Sequence, residues 1–323
     1  MSEGAFGFLI VDKPIGMTSH QVVGRFRKVF GTRRVGHSGT LDPDASGVLV
    51  CAIGSVTRLL VYLLGADKTY RTTVVLGIET DTEDAAGEVL RRAEPEQVEA
   101  VTAQQVTETL AGFTGNIDQV PSAVSAIKQR GKRSYQRVRA GEKVHLDARP
   151  VRIERLEQVT PLTHGRFDIE VDCSSGTYIR ALGRDIGHAL KVGAHITNLR
   201  RLRLGDFGIA EATPLDTITA ETPLLDPAKV LRRIMPCVPV DTEQAKRISR
   251  GVQMPLGDFP PLPAPVINGH IGGVDPDAYY AAISIPDEQL VAVVVPREYR
   301  GPGPLNGEQV LQPVTVLPHS ETE

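Results

Sequence analysis

Residues 36–53 read GHSGTLDPDASGVLVCAI. A loop punctuated by glycine, residues 36–47, runs without a break into Val48–Ile53, a short, apolar, β-branched stretch that reads as a strand. Pro43 disfavours the α region for the residue before it and so pushes Asp42 towards an extended conformation, while Gly36, Gly39 and Gly47 let the flanking chain turn tightly. Asp42 is thereby presented on a stiff loop. An isolated Asp-Pro is ordinarily only a turn dipeptide. Here it lies between a basic turn and a strand. Asp44 adds a second carboxylate two residues on, and an extended chain would place both on one side, where like charges raise each other's pKa. The loop is therefore expected to bend at Asp42–Asp44.

Outward from this loop, Phe8–Val11, Thr72–Gly77, Val151–Val159 and Phe167–Cys173 read as further strands, each bounded by Gly, Pro or Asp. Thr18 or Ser19 can cap a helix running to about Phe30, with Val22, Val23, Phe26 and Val29 on one face. Ile179, Leu182, Ile186 and Leu190 recur at helical spacing. Strands and helices interleave without a regular βαβ period, so the expected fold is a mixed α+β domain, residues 1–238, rather than a doubly wound one. Residues 239–323 read as a small β-rich domain with strands at Tyr280–Ile285, Leu290–Val295 and Val310–Leu317. The Pro/Gly-rich stretch 257–276 interrupts it as a long loop.

The chain has 323 residues, 41% of them hydrophobic and 23% charged, with a net charge of −3. That composition excludes a disulfide-stapled miniprotein, a disordered chain and a wholly basic coat protein, and the length suits two domains. No apolar run approaches the roughly 18–20 residues of a membrane span, and MSEGAFGFLIVDKP lacks the basic start of a secretion signal, so a cytoplasmic protein is expected. Cys51, Cys173 and Cys237 are odd in number and widely spaced, which fits neither a disulfide framework nor a zinc site. No metal is expected. The deaminase pattern H-x-E with P-C-x-x-C is also absent.

Charge is unevenly distributed. Lys128–Arg155 holds ten Lys and Arg against three acids, for +7. Arg25, Arg27, Lys28, Arg33 and Arg34 form a second basic patch, and Arg180, Arg184, Lys191, Arg200, Arg201 and Arg203 a third. The compensating acid lies in Glu79–Glu99 and after Val240, each of which nets −6. A single charge run is usually a solvated face. Three basic patches bracketing the loop of Asp42 favour a polyanionic partner.

Several separated blocks together resemble the bacterial TruB-type tRNA pseudouridine synthases. GHSGTLDP resembles the family's catalytic motif, with Asp42 at its aspartate. FLIVDKPIG, residues 8–16, is similar to the family's opening strand and Lys-Pro motif, in which Lys13 would support the active-site loop or contact phosphate. DKTYR, residues 67–71, resembles the segment carrying the active-site tyrosine, and CSSGTYIR, residues 173–180, the segment with a second tyrosine and an arginine. GAHITNLRRL, residues 193–202, matches a further block. The resemblance covers about residues 7–205, and the tail after Val240 matches only loosely, where relatives carry a small PUA-like β-domain.

The resemblance implies a mainly antiparallel catalytic sheet and isomerisation of the T-loop uridine at tRNA position 55. It implies Asp42 as the nucleophile, Arg180 as its counter-ion, and Tyr70 stacking on the flipped base and assisting removal of the C5 proton. It further implies substrate contacts by His37, Tyr178 and Leu199, and an RNA-clasping insertion over residues 119–147 in which Lys132 and Arg133 meet phosphate. The chemistry is self-consistent. Breaking N1–C1′ and making C5–C1′ changes no oxidation state and loses no group, so no cofactor is called for. It needs an anion that attacks C6 or C1′, between which the sequence does not choose, and a group to take the C5 proton. Burial without a partner can raise an Asp pKa from about 3.9 by up to about 3–5 units, and a neighbouring guanidinium prevents that, best through a bidentate contact in a dry site. The expected partner is the tRNA T-arm, with no membrane and no obligate protein partner, and the expected state is a monomer. The rival reading is an RNA-binding or RNA-folding protein on the same scaffold. The acidic tail is expected to add little affinity for RNA.

Overall fold

The structure is a computed structural model that describes residues 5–124, 146–264, 279–285, 287–301 and 305–317, together with the backbone at 128–129 and 132–133. The chain folds into two compact units, each discontinuous in sequence. One holds residues up to 41, 48–66 and the chain from 205 on; the other holds 42–47 and 67–204.

The first unit contains the strand Gly7–Lys13 and the helix Ser19–Val29. Thr18 caps that helix through a reciprocal box with Gln21, which satisfies two of the donors a helix start leaves open. Val22, Val23 and Phe26 then bury among Leu9, Val11, Leu49, Cys51 and Ile53, with Val29 partly buried beside them. Each of those three fully buried side chains contributes roughly 1.5–3 kcal/mol. The tail belongs to this unit and forms a five-stranded sheet from Cys237–Val240, Tyr280–Ser284, Leu290–Glu298, Gln309–Val316 and Met254–Pro255, in that order. Val238, Val240, Ile248, Met254 and Val291 lie in its core. The strands expected in the tail are present to within a few residues, and most of the Pro/Gly-rich stretch, from 265 on, lies outside the described residues.

The second unit is built on antiparallel strands in the order Ala194–Leu204, Lys68–Leu76, Arg166–Cys173, Arg149–Gln158 and Gly115–Gln119. Alternation is clean in Arg166–Cys173, where Phe167, Ile169, Val171 and Cys173 are buried between half-buried acids. Helix Ile179–Ala189 buries Ile179, Leu182 and Ile186 against the sheet. Gly187 permits that contact, since a Cβ there would lie 2.2 Å from the Ala194 amide. The architecture is the mixed, mainly antiparallel α+β fold that the sequence implied. The Ala194–Leu204 strand and the Ile78–Thr80 and Val89–Arg92 hairpin were not legible as strands.

Candidate active site

The loop of Asp42 is anchored from both ends. Before it, the Leu41 amide donates to Ser19 Oγ at 2.9 Å, and the Ser19 hydroxyl donates to the Leu41 carbonyl at 3.2 Å. Lys13 is fully buried and donates to the carbonyls of Pro14 and Met17 at 2.8 and 2.6 Å, fixing the turn that leads into the helix bearing Ser19. A support role for Lys13 therefore holds, and its burial removes the alternative of a phosphate contact. After Asp42 the chain bends as expected: the Ala45 amide donates to the Asp42 carbonyl at 3.1 Å, with Pro43 and Asp44 exposed at the corners of the turn. Ser46 and Gly47 then pair in parallel with Arg200 and Arg201. Only glycine fits at Gly47, where φ is +105° and a Cβ would sit 2.1 Å from the Arg201 carbonyl.

Asp42 meets Arg180 across 138 positions of sequence, with Arg180 Nε donating to Asp42 Oδ2 at 3.0 Å. The two partners differ sharply in exposure, 7% for the arginine side chain against 42% for the aspartate. The pair is thus neither bidentate nor dry. The rest of the guanidinium is committed elsewhere: one terminal nitrogen donates to the Thr82 carbonyl at 2.9 Å and to Ser122 Oγ at 3.1 Å, and the other to the Val124 carbonyl at 2.8 Å. These acceptors offset the unfavourable placing of a cation in the first turn of helix Ile179–Ala189. A second carboxylate, Asp84 Oδ2, lies 3.7 Å from Arg180 Nε. Its other oxygen accepts from the Thr82 hydroxyl at 2.6 Å and the Ala86 amide at 3.1 Å.

Tyr70 is buried on the Lys68–Leu76 strand, directly opposite Val171 on one side and Arg201 on the other. Burial pushes its phenol above the ordinary tyrosine range, against the pull of a hydrogen bond and charge from Arg201. Asp42 is near enough to add to the upward push. Tyr70 is therefore a protonated phenol at neutral pH, suited to a flat contact and a hydrogen bond. Two residues earlier on the same strand, burial and then the Arg201 charge lower Lys68 to about 8. Burial likewise raises Cys173 to about 12, which makes it an inert thiol.

Arg201 is the largest fully buried side chain described. Reading it as part of a surface basic patch is corrected, and Arg180 leaves that patch with it. The cause is a pair of irregularities in the Ala194–Leu204 strand, between Thr197 and Arg200 and between Arg201 and Arg203, with Asn198 at φ 55°. They turn Arg201 inward to Tyr70, while Arg203 donates to Thr69 Oγ1 at 2.9 Å and Arg200 to Ser46 Oγ at 3.2 Å. A regular strand would have put Arg201 and Arg203 on one face.

Tyr178 is half-buried at the cap position of the Ile179–Ala189 helix, and Leu199 is half-buried inside the irregular stretch. His37 stands on the strand Val35–Ser38, opposite Cys51, in the other unit. Lys132 and Arg133 form one short strand of a hairpin with Lys128–Gln129, of which only the backbone is described. Of the expected insertion, residues 125–127, 130–131 and 134–145 lie outside the described residues, while residues 119–124 are described. Asp84 and Thr82 beside Arg180 were missed, and Gln119 and Ser122 had been read as the start of the RNA-clasping insertion. That boundary is corrected, since Gln119 ends a strand of the sheet and both side chains are buried, on Tyr178 and Arg180. Asp84 had shown only as one acid in the Glu79–Glu99 run. Among the described residues no group of three or more His, Cys, Asp or Glu could hold a metal ion, and no helix is long and apolar enough to cross a membrane.

Comparison with known proteins defines the fold and the family. The chain is similar in structure to a protein of an H/ACA ribonucleoprotein bound to a substrate RNA containing 2'-deoxyuridine, with a TM-score of 0.70 at 24% identity over 98% of this chain and 86% of that one. It is similar too to a chain of a Cbf5-Nop10-Gar1 complex, with a TM-score of 0.64 at 26% identity over 90% of this chain and 78% of that one. The fold is that of the pseudouridine synthases. Residues 27–179 match the TruB family pseudouridylate synthase N-terminal domain, and residues 180–242 the tRNA pseudouridylate synthase B C-terminal domain. The tRNA pseudouridine synthase B of Paenarthrobacter aurescens (strain TC1) is 48% identical over 78% of this chain and 81% of its own length. That of Mycobacterium sp. (strain KMS) is 54% identical over 67% of this chain and 72% of its own. The chain belongs to the TruB family of tRNA pseudouridine synthases, which are isomerases.

Proposed function

We propose that this enzyme isomerises the uridine at position 55 in the T-loop of tRNA to pseudouridine, with Asp42 as nucleophile. The observation that carries the reading is the asymmetric pair of a buried guanidinium and a half-open carboxylate, 3.0 Å apart. A carboxylate held through one oxygen is oriented, while its exposure leaves room for a nucleoside to approach. Attack on C6 or on C1′ is equally compatible with one accessible oxygen. A uridine within a folded loop reaches such a site only when flipped from its stack, which the buried ring of Tyr70 would then support, with Tyr178 and Leu199 lining the pocket. Tyr70, protonated at neutral pH, assists at C5 by hydrogen bonding and does not itself take the C5 proton, which passes to water while N1 takes up a proton in exchange.

His37, Lys132 and Arg133 grip the T-arm in this reading, the last two through phosphate, so affinity falls steeply with salt. The reaction is redox-neutral and calls for no cofactor. We assign the catalytic part to residues 1–238 and a small accessory β-domain to 239–323, and expect a cytoplasmic monomer. The test is release of tritium from tRNA labelled at uridine C5, with product of unchanged mass. A transcript with cytidine at position 55 should release nothing, and release from it at the same rate as from uridine-55 tRNA would refute the assignment.

A further inference from the structure

The strand Gly115–Gln119 forms the edge of the sheet of the second unit, and the chain leaving it, Val120–Val124, is fastened to the Ile179–Ala189 helix at three successive points. Gln119, almost wholly buried, occupies both main-chain groups of Tyr178: its Oε1 accepts from the amide at 2.8 Å and its Nε2 donates to the carbonyl at 3.1 Å. The helix has no side-chain cap of its own, and Gln119 instead holds the main chain of the cap residue in place. Arg184, one turn beyond Arg180, donates to the Val120 carbonyl at 2.8 Å. Between them Arg180 takes the Ser122 hydroxyl and the Val124 carbonyl. Ser122 is fully buried.

The strap's consequence for the reaction lies in what it denies the guanidinium. An arginine beside a carboxylate ordinarily prefers the two-pronged arrangement, in which two parallel N–H groups cover both oxygens. Here both terminal nitrogens are drawn away by Thr82, Ser122 and Val124, and only Nε faces Asp42. We propose that Ser122 and Gln119 are positioning residues of the isomerisation: they hold the strap that keeps Arg180 on one oxygen of Asp42 and leaves the carboxylate open to the nucleoside. The inference rests on the reading of Arg180 as counter-ion to the nucleophile. Neither residue touches the reacting atoms, and each acts through Arg180 or through the helix start that carries it.

The experiment measures single-turnover rate constants with enzyme saturating over limiting tRNA, tRNA affinity and melting temperature for Ser122→Ala, Ser122→Cys, Arg180→Lys and the double variant Ser122→Ala with Arg180→Lys. Loss of one acceptor among several should lower the rate of Ser122→Ala by about fivefold, with affinity within about twofold of the parent. Ser122→Cys keeps the volume with a poorer acceptor and should fall between Ser122→Ala and the parent. Because lysine cannot make the same set of contacts, Ser122→Ala should change the rate by less than about 1.5-fold in the Arg180→Lys background, the non-additivity expected of residues acting through one another. A parental rate for Ser122→Ala overturns the inference, as does the same fivefold loss in both backgrounds or a loss confined to tRNA affinity. A parental rate for Arg180→Lys alone overturns the counter-ion reading and this inference with it.

Discussion

Two arginines in one unit of this protein carry ion pairs of opposite design. Arg155, on the Arg149–Gln158 strand, is 36% exposed and meets three carboxylates, Asp172 at 2.7 Å, Glu157 at 2.8 Å and Glu170 at 2.5 Å. Those acids are in turn shared: Asp172 also accepts from the Thr69 hydroxyl and lies 3.5 Å from Arg203. Burial would raise the Asp172 carboxyl, but the bonds from Thr69 and Arg155 outweigh it and hold the group below the usual carboxylate range. Charge there is shared among several groups and tied up. Arg180 is the reverse, a buried cation whose terminal nitrogens are spent on oxygens of the main chain and of Ser122, so that a half-open aspartate receives one N–H. The difference shows two ways of meeting a guanidinium, and on the proposed reading it separates a stabilising ion pair from a reactive one. In the first the carboxylates saturate the arginine, and in the second the protein saturates the arginine so that the carboxylate stays available.

The contrast can be broken most sharply at Arg180. Arg180→Lys keeps the charge and loses the fork of donors, and turnover should fall roughly 10²–10³-fold, the range for loss of a preorganised donor, with tRNA binding little changed. Equal losses in binding and turnover would mean that Arg180 grips RNA rather than orients Asp42.

A smaller effect is expected at Lys68, a buried cation whose pKa is lowered to about 8 by burial and then by Arg201. The folded protein gives up this proton more readily than the unfolded chain, so between pH 8 and about 10.4 stability rises with pH, and below 8 the full cost remains. With the Lys68 pKa at about 8, that cost is on the order of 3 kcal/mol. Lys68→Met should remove the rise, which denaturant unfolding at pH 7.5 and 10 would show; an unchanged slope would mean that Lys68 keeps an ordinary pKa.

The smallest effect belongs to Arg155. Arg155→Ala should lower stability by about 1 kcal/mol, as exposed pairs do, and leave the single-turnover rate untouched. A slowed reaction would join the two charge clusters and undo the distinction drawn between them.

Much of this fold was legible because local chemistry agreed with the final packing. Thr18 followed by Gln21 and the apolar face Val22, Val23, Phe26 specify a helix wherever they occur, and Phe167–Cys173 alternates as an antiparallel strand must. The Ala194–Leu204 strand was illegible for a physical reason. Its two irregularities break the period of two that identifies strands, and with the period gone Arg200, Arg201 and Arg203 read as a solvated patch. Burial of Arg201 depends on a tyrosine opposite it, which composition does not reveal. Asp42 stood out locally through the Asp-Pro loop. Its union with Arg180 came only from family resemblance, because no spacing rule links residues 138 apart. Asp84 was hidden in an acidic run and Ser122 in the stretch read as the start of the RNA-clasping insertion, since each acts through a partner distant in sequence.

The most direct test of the account is the single-turnover rate of Asp42→Asn on tritium-labelled tRNA, measured beside its affinity for the same tRNA. The amide keeps the shape and removes the charge, so turnover should fall by at least roughly 10⁴-fold, as expected when a nucleophile is lost, while affinity stays within about threefold. A variant that still forms pseudouridine at a rate near that of the parent enzyme would contradict the claim that the carboxylate beside Arg180 performs the reaction.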